Sequence, residues 1–533
     1  MKPAFLVAAA LALAAAPSLA QTPAMPTAEA RTRAAIERIE ALNPRLNAVI
    51  AVDPTAIEQA RALDRWEAAA RTAADVGERG MDPPGPLFGM PILIKDNIET
   101  LGPLPTTAGS LALRDNVTNR DAPLVAGLRA AGAVIVGKAN LSEWANIRSS
   151  DSISGWSAIG GQVRNPYALN RNPCGSSSGS AVAVASGMVP AAIGTETDGS
   201  ITCPAAINGV VGFKPSVGLV SRTHVVPISH SQDTPGPITT NVRDAALIMN
   251  AIAGSDPADP ATAEADRRRV DYTVALRPDA LRGVRLGVMR FAAGFGTDAV
   301  FEEALATLRA QGAVLVEIAE FGPNRAEIGR NEIIVLLAEL KHDLNAYLAT
   351  LPPNVRTRTL ADLIAFNRAH AGSEMALFTQ DLFERAEVTS LDEAYRTARA
   401  TSLRIAGAEG IDRLLRVHNV AALIGPTRPA AWLIDAVHGD TSPGGAPAGS
   451  LAAVAGYPHL TVPMGQVRGL PVGLSFIGPA WSDALILSLG FAYEQASHRR
   501  FEPRFLPSIE ESDEVAPLLR PATRASASSS PRP

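Results

Sequence analysis

The sequence predicts an α/β fold, because segments with helical spacing repeatedly give way, through a short turn, to apolar runs of strand length. Residues 122–131 have helical spacing, and Gly132-Ala133 turns the chain into the strand Val134-Ile135-Val136. The same order recurs over 181–186, where Gly187 ends the helix ahead of a strand over 189–193. Apolar runs at 210–213, 286–289, 313–316, 421–424, 460–462 and 472–474 extend the series, without an internal repeat.

The chain has 533 residues, 47% of them apolar and 19% charged, enough for one large core or two to three domains. A net charge of −5 with no basic block argues against nucleic acid or an anionic membrane surface as a partner.

Met1-Lys2-Pro3, an Ala/Leu/Val run from Ala4, and Ser18-Leu19-Ala20 ahead of Gln21 read as a secretory signal peptide over 1–20. The expected location is therefore periplasmic or secreted, with no stable membrane insertion after cleavage; an uncleaved anchor is the competing reading. No cysteine follows the apolar run, so a lipid anchor has no attachment point.

Residues 21–86 read as amino-terminal helices and a connector. Thr27 caps a helix whose Ile36, Ile39 and Leu42 share a face, ending near Asn43-Pro44. Asp53-Pro54 opens a second helix through Trp66, and 80–87 is Pro/Gly-rich linker. Further on, 330–417 is helical and charged, interrupted by Leu351-Pro352-Pro353, and reads as a helical insertion. Residues 440–449 read as a surface loop and 511–533 as a disordered tail, Ala/Ser/Pro/Arg-rich from Arg520.

The apolar run Met90-Pro91-Ile92-Leu93-Ile94 ends on Lys95. The chain has five lysines against 43 arginines, so positions needing only a cation generally use arginine. Lysine loses its proton when desolvated and arginine does not, which marks Lys95 as a candidate general base. Lys138 and Lys214 read instead as ion-paired strand-end lysines.

Two serine-bearing glycine turns fall close together. Gly175-Ser176-Ser177-Ser178-Gly179 matches a nucleophile elbow centred on Ser177, but the residues before it include Pro166 and Pro173 and cannot supply the required strand. Asp198-Gly199-Ser200 is fed by an apolar strand, and its successive N–H groups can form an oxyanion nest, making Ser200 the better nucleophile. Cys174 and Cys203, the only cysteines, lie beside these turns and are either bridged or two buried thiols. Two cysteines and no His-Glu-x-x-His leave no zinc site legible in the sequence.

With Gly194-Thr195-Glu196-Thr197-Asp198-Gly199-Ser200-Ile201, Pro204-Ala205-Ala206 and Gly209 to Pro215, these turns resemble the amidase signature family. The resemblance runs from about Leu87 to Phe505, includes Ser231-Gln232-Asp233-Thr234-Pro235-Gly236-Pro237, and places the signature domain at 87–510. Thr195 to Ser200 and Ser142-Glu143-Trp144-Ala145-Asn146 are most similar to the bacterial peptide amidases within it. Cys174, Ser178 and Asp198 stand where the family pattern commonly has glycine, and Glu196 where it commonly has aspartate.

The resemblance implies a single α/β domain with a mixed, twisted central sheet between helices. It also implies a Ser–cis-Ser–Lys triad of Ser200, Ser176 and Lys95, with a cis peptide entering Ser176. The oxyanion would be held by the N–H groups of Thr197, Asp198, Gly199 and Ser200, and Asn146, Ser177 and Asp233 are candidates for substrate binding. The implied activity is hydrolysis of peptide or small-molecule amides without metal or cofactor, by a monomer or homodimer. An aryl- or fatty-amide hydrolase and an inactive exported amide-binding protein are the alternatives. The signal peptide argues against an amidotransferase component serving translation.

Overall fold

A computed structural model describes residues 26–75, 85–445 and 447–520. The expected signal peptide lies outside these residues, as does most of the connector.

Thirteen strands are present among the described residues. The amino-terminal half contributes β1 (Val49–Val52), β2 (Pro91–Lys95), β3 (Val134–Ala139), β4 (Trp156–Ser157), β5 (Gly161–Gln162), β6 (Ala191–Glu196), β7 (Val211–Lys214) and β8 (Thr234–Thr239). The remainder contributes β9 (Arg285–Met289), β10 (Val314–Ile318), β11 (Ala422–Pro426), β12 (His459–Val467) and β13 (Leu470–Ile477). Apart from the β4/β5 ribbon, they form one 11-stranded sheet in the order β1-β3-β2-β6-β8-β7-β12-β13-β11-β9-β10. The sheet is mixed: β2 runs parallel to β3 and β6, whereas β8 is antiparallel to both β6 and β7.

Side-chain alternation along β2 shows why helices cover both faces. Ile92 and Ile94 join a core containing Leu124 and Leu128 of the helix Pro123–Ala130, and Met249 of the helix Val242–Ile252. Leu93 points the other way, into a core with Ile39 of the helix Ala28–Leu46 and Ala181 to Ala185 of the helix Ser178–Ala185. Adjacent strand residues face opposite sides, so a strand apolar at every position needs two covers.

The first helix continues past the expected stop, with Pro44 inside its last turn, and ends at Asn47, which is left-handed at φ 50°. Asn43 fixes this end by exchanging two hydrogen bonds with the Val49 backbone. The second helix starts later, at Ala56, and runs to Asp75, because Asp53 Oδ1 accepts from Thr55 N–H at 2.8 Å and holds Pro54-Thr55 in a turn. β8 is a strand that apolar patterning passes over, since Pro235 and Pro237 place two missing donors in the sheet interior.

The helical region begins with Arg325–Ala349 and packs Leu340, Leu344 and Phe383 against Trp144, Ile147 and Ile228. It thus roofs the loops that reach the serine turns. Residues 511–520, expected within the disordered tail, instead carry the 3-10 turn Ala516–Leu519, and Val515 packs in the cluster containing Cys174 and Cys203. The rest of that tail lies outside the described residues.

Candidate active site

Lys95 closes β2 and is fully buried. Its Nζ is 2.7 Å from Ser176 Oγ, 2.8 Å from Thr195 Oγ1 and 3.2 Å from Thr195 O. Burial lowers its pKa to about 7, opposed by the charges of Asp233 and Glu196. Lys138 and Lys214 are as buried and are also lowered by burial, each to about 8, so position distinguishes Lys95. Lys138 pairs with Asp96 at 3.8 Å as expected. Lys214 departs from the ion-paired expectation, since its Nζ donates to the carbonyls of Tyr457 at 2.8 Å and Pro215 at 3.1 Å. Antiparallel pairing of β12 with β7 sets His459 opposite Lys214 and so brings the Tyr457 carbonyl to the place where a carboxylate was expected.

Ser176 follows a cis peptide bond from Gly175. Its carbonyl accepts from Ser142 N–H at 3.0 Å. Glycine is needed before it: a Cβ at 175 would stand 2.1 Å from Ser142 Oγ and 3.1 Å from Asn146 Nδ2. Those two residues belong to a segment in which Trp144, Ala145 and Asn146 all have positive φ, at 49°, 53° and 72°. Such backbone costs roughly 1–3 kcal/mol per residue and persists where surrounding packing dictates it. Here the buried Glu143–Arg148 pair, at 3.0 Å, braces the loop, with Arg148 stacked 4.2 Å from the Phe378 ring centroid.

Beyond β6 the chain turns through Thr197, Asp198 and Gly199, the last at φ 81°, to Ser200. Glu196 Oε2 accepts from Ile201 N–H at 2.8 Å and Thr202 N–H at 2.9 Å, capping the helix Thr202–Ile207 from outside. Among the described residues, the N–H groups of Thr197, Asp198, Gly199 and Ser200 donate to no protein acceptor. Four consecutive free donors beside a serine form an arrangement suited to a developing anion. Ser200 is tied to the turn carrying Ser176 through backbone, its carbonyl accepting from Ser177 N–H at 3.1 Å. No hydrogen bond joins the Ser176 and Ser200 hydroxyls among the described residues.

The three expected substrate contacts separate. Asn146 lines the cleft beside Ser200, its Nδ2 donating to Ser154 Oγ at 3.2 Å while its buried Oδ1 has no partner. Ser177 faces away, bridging Thr195 N–H and O at 3.2 Å each, and is a structural clasp between the serine turn and β6. Asp233 is a clasp too: it accepts from Thr197 Oγ1 at 2.6 Å and from the N–H groups of Ile228 and Ser229 at 2.8 and 2.9 Å. Both oxygens of its carboxylate are thus engaged by protein donors, and the residue lines a small cavity with Thr195 and Thr197. Burial raises its pKa to about 6.

A cleft of about 310 Å³ opens over Ser200 and is lined by Thr197, Gly199, Arg428, Trp432 and Asp440 among others. Arg428 lies against Gly199, where a Cβ would approach its Nη2 to 2.9 Å. Asp440 starts an exposed coil over 440–445, as the sequence predicts, and also anchors it: Asn172 Nδ2 donates to its carboxylate at 2.8 Å and Ser154 N–H at 3.1 Å. Cys174 and Cys203 are joined by a disulfide at the cleft wall. Sequence reasoning missed Thr195, Arg428 and Asp440; the strand feeding Ser200 was the available signal for Thr195, and no local pattern marks the other two.

A family model described as Amidase matches residues 30–487. A probable amidase of Arabidopsis thaliana is 40% identical over 479 residues, covering 88% of this chain and 87% of the relative. Among solved structures, the native peptide amidase of Stenotrophomonas maltophilia superposes with a TM-score of 0.83 at 49% identity, covering 90% of this chain and 96% of that one. A peptide amidase in complex with the competitive inhibitor chymostatin gives the same TM-score at 50% identity and the same coverage.

Proposed function

We propose that this chain, which belongs to the amidase family and is an amide C–N hydrolase, releases ammonia from C-terminal peptide amides through an acyl-enzyme on Ser200. The observation that carries the mechanism is the buried Lys95 Nζ 2.7 Å from Ser176 Oγ, with burial bringing its pKa to about 7. A lysine so placed is neutral in a substantial fraction of molecules near neutral pH and can act as a base.

In this route Ser200 Oγ attacks the amide carbonyl, its proton passes to Ser176 Oγ, and the Ser176 proton passes to Lys95 Nζ. The free N–H groups of Thr197 to Ser200 stabilise the oxyanion. The relay returns a proton to the leaving nitrogen, ammonia departs, and water entering along the same path resolves the ester. For the relay to operate, the Ser176 and Ser200 hydroxyls approach within hydrogen-bond distance once substrate is bound.

The peptide-amide preference rests on about half-identity to two peptide amidase structures and on a cleft that extends from Ser200 past Trp432 and Asp440. Export is part of the proposal: it rests on the amino-terminal pattern, and a disulfide beside the site suits an oxidising compartment. Ammonia release from a panel of peptide amides, fatty amides and aryl amides tests the function. Turnover led by peptide amides is expected; preference for fatty or aryl amides would replace the substrate assignment, and binding without hydrolysis would remove the mechanism.

A further inference from the structure

We propose that His230, His342 and Asp343 form a binding site for a divalent transition-metal ion, with Zn2+ as the chemical match, that fastens the loop bearing Asp233 to the helix Arg325–Ala349. One ligand atom from each residue lies within 4.8 Å of the others. His230 Nδ1 is 2.9 Å from Asp343 Oδ2, and His342 Nδ1 is 2.9 Å from Asp343 Oδ1. Both rings thus turn a nitrogen to one carboxylate.

In a tetrahedral site with bonds of about 2.0–2.2 Å, ligand atoms stand roughly 3.3 Å apart, so a small outward movement admits the ion. Such movement is available, because the side chains of His230 and His342 are 43% and 60% exposed. Two imidazoles and a carboxylate, with a position left for water, suit Zn2+ better than Ca2+ or Mg2+, which take oxygen-rich sets.

The surroundings hold the ligands in place. Asp343 Oδ2 also accepts from His230 N–H at 2.9 Å. Earlier on the same helix, Glu339 Oε2 accepts from Ser231 N–H at 3.1 Å and Ser231 Oγ at 2.9 Å, while Tyr395 OH donates to Glu339 Oε1 at 2.7 Å. The loop is therefore already seated on the helix before an ion adds a direct link, and the same loop supplies the Asp233 clasp on Thr197. His230 and Asp343 are 113 positions apart, so no sequence spacing reveals the set.

Titration calorimetry of the tag-free protein with a zinc salt alone tests the site, together with melting curves with and without Zn2+. One ion per chain is expected, with a raised melting midpoint in the wild type. His342→Ala should weaken binding at least about tenfold and abolish the midpoint shift, while keeping metal-free melting and amide hydrolysis unchanged; His230→Ala should weaken binding similarly. Absence of binding in the wild type, or wild-type affinity in His342→Ala, overturns the proposal.

Discussion

Lys95 Nζ lies 2.7 Å from Ser176 Oγ across 81 residues of chain, with both side chains fully buried. As an ammonium, Lys95 places its three donors on Ser176 Oγ and the two oxygens of Thr195. As an amine it keeps the Thr195 bonds and presents its lone pair to the serine. Lys95→Arg retains charge but supplies no base, and kcat should fall by about 10²–10⁴. Steady-state ammonia release measures this, and a rate near wild type would remove Lys95 from the mechanism.

The same geometry sets a pH dependence. Burial lowers the Lys95 pKa to about 7, so its basic form accumulates as pH rises, and kcat/KM should climb and then level above that value. The unfolded chain, with lysine near its ordinary value of about 10.4, binds more protons than the folded one between about pH 7 and 10. Stability linked to Lys95 therefore rises with pH across that window. Lys95→Met should abolish hydrolysis, and its stability relative to wild type should decline as pH rises through the window. Denaturant titrations at several pH values check the second effect, and a flat kcat/KM profile through neutrality would contradict the first.

Gly175→Ala brings a Cβ to 2.1 Å from Ser142 Oγ, whose residue also holds the Ser176 carbonyl. A loss of about 1–3 kcal/mol in stability and of most activity is expected. Gly329→Ala is the control: a Cβ there meets nothing within 4 Å, inside the helix Arg325–Ala349, and should stabilise by about 0.4–1 kcal/mol. Urea unfolding of both variants reads the contrast.

Cys174 and Cys203 close a loop with a sequence separation of 29. Chain-entropy arguments put its contribution at about 3–4 kcal/mol, so the Cys174→Ala/Cys203→Ala protein should unfold at clearly lower denaturant. Reductant should reproduce that loss in the wild type and leave the double variant unaffected.

Strands with uninterrupted apolar runs were legible because burial on both faces dictates their composition, as at Ile92-Leu93-Ile94. β8 was not, since the sheet overrides the strand preferences of Pro235 and Pro237. Lys95 stood out because arginine serves most other cationic positions, and resemblance brought it together with the two serine turns. The protein partners of Ser177 and Asp233 were not legible because a hydroxyl or carboxylate looks the same in sequence whether it meets substrate or backbone. Their partners, Thr195 and Thr197, are chosen by how β6 meets the serine turn and the loop before β8. Asp440 and Arg428 depend wholly on long-range packing and carry no local signature.

The assignment of Ser200 as nucleophile is tested most directly by mass-spectrometric mapping of the adduct formed with a serine-directed fluorophosphonate under conditions that abolish ammonia release. The adduct is expected on Ser200, with labelling lost in Ser200→Ala and slowed in Lys95→Arg. Inactivation accompanied by an adduct on Ser177, with Ser200 unmodified, would contradict the account.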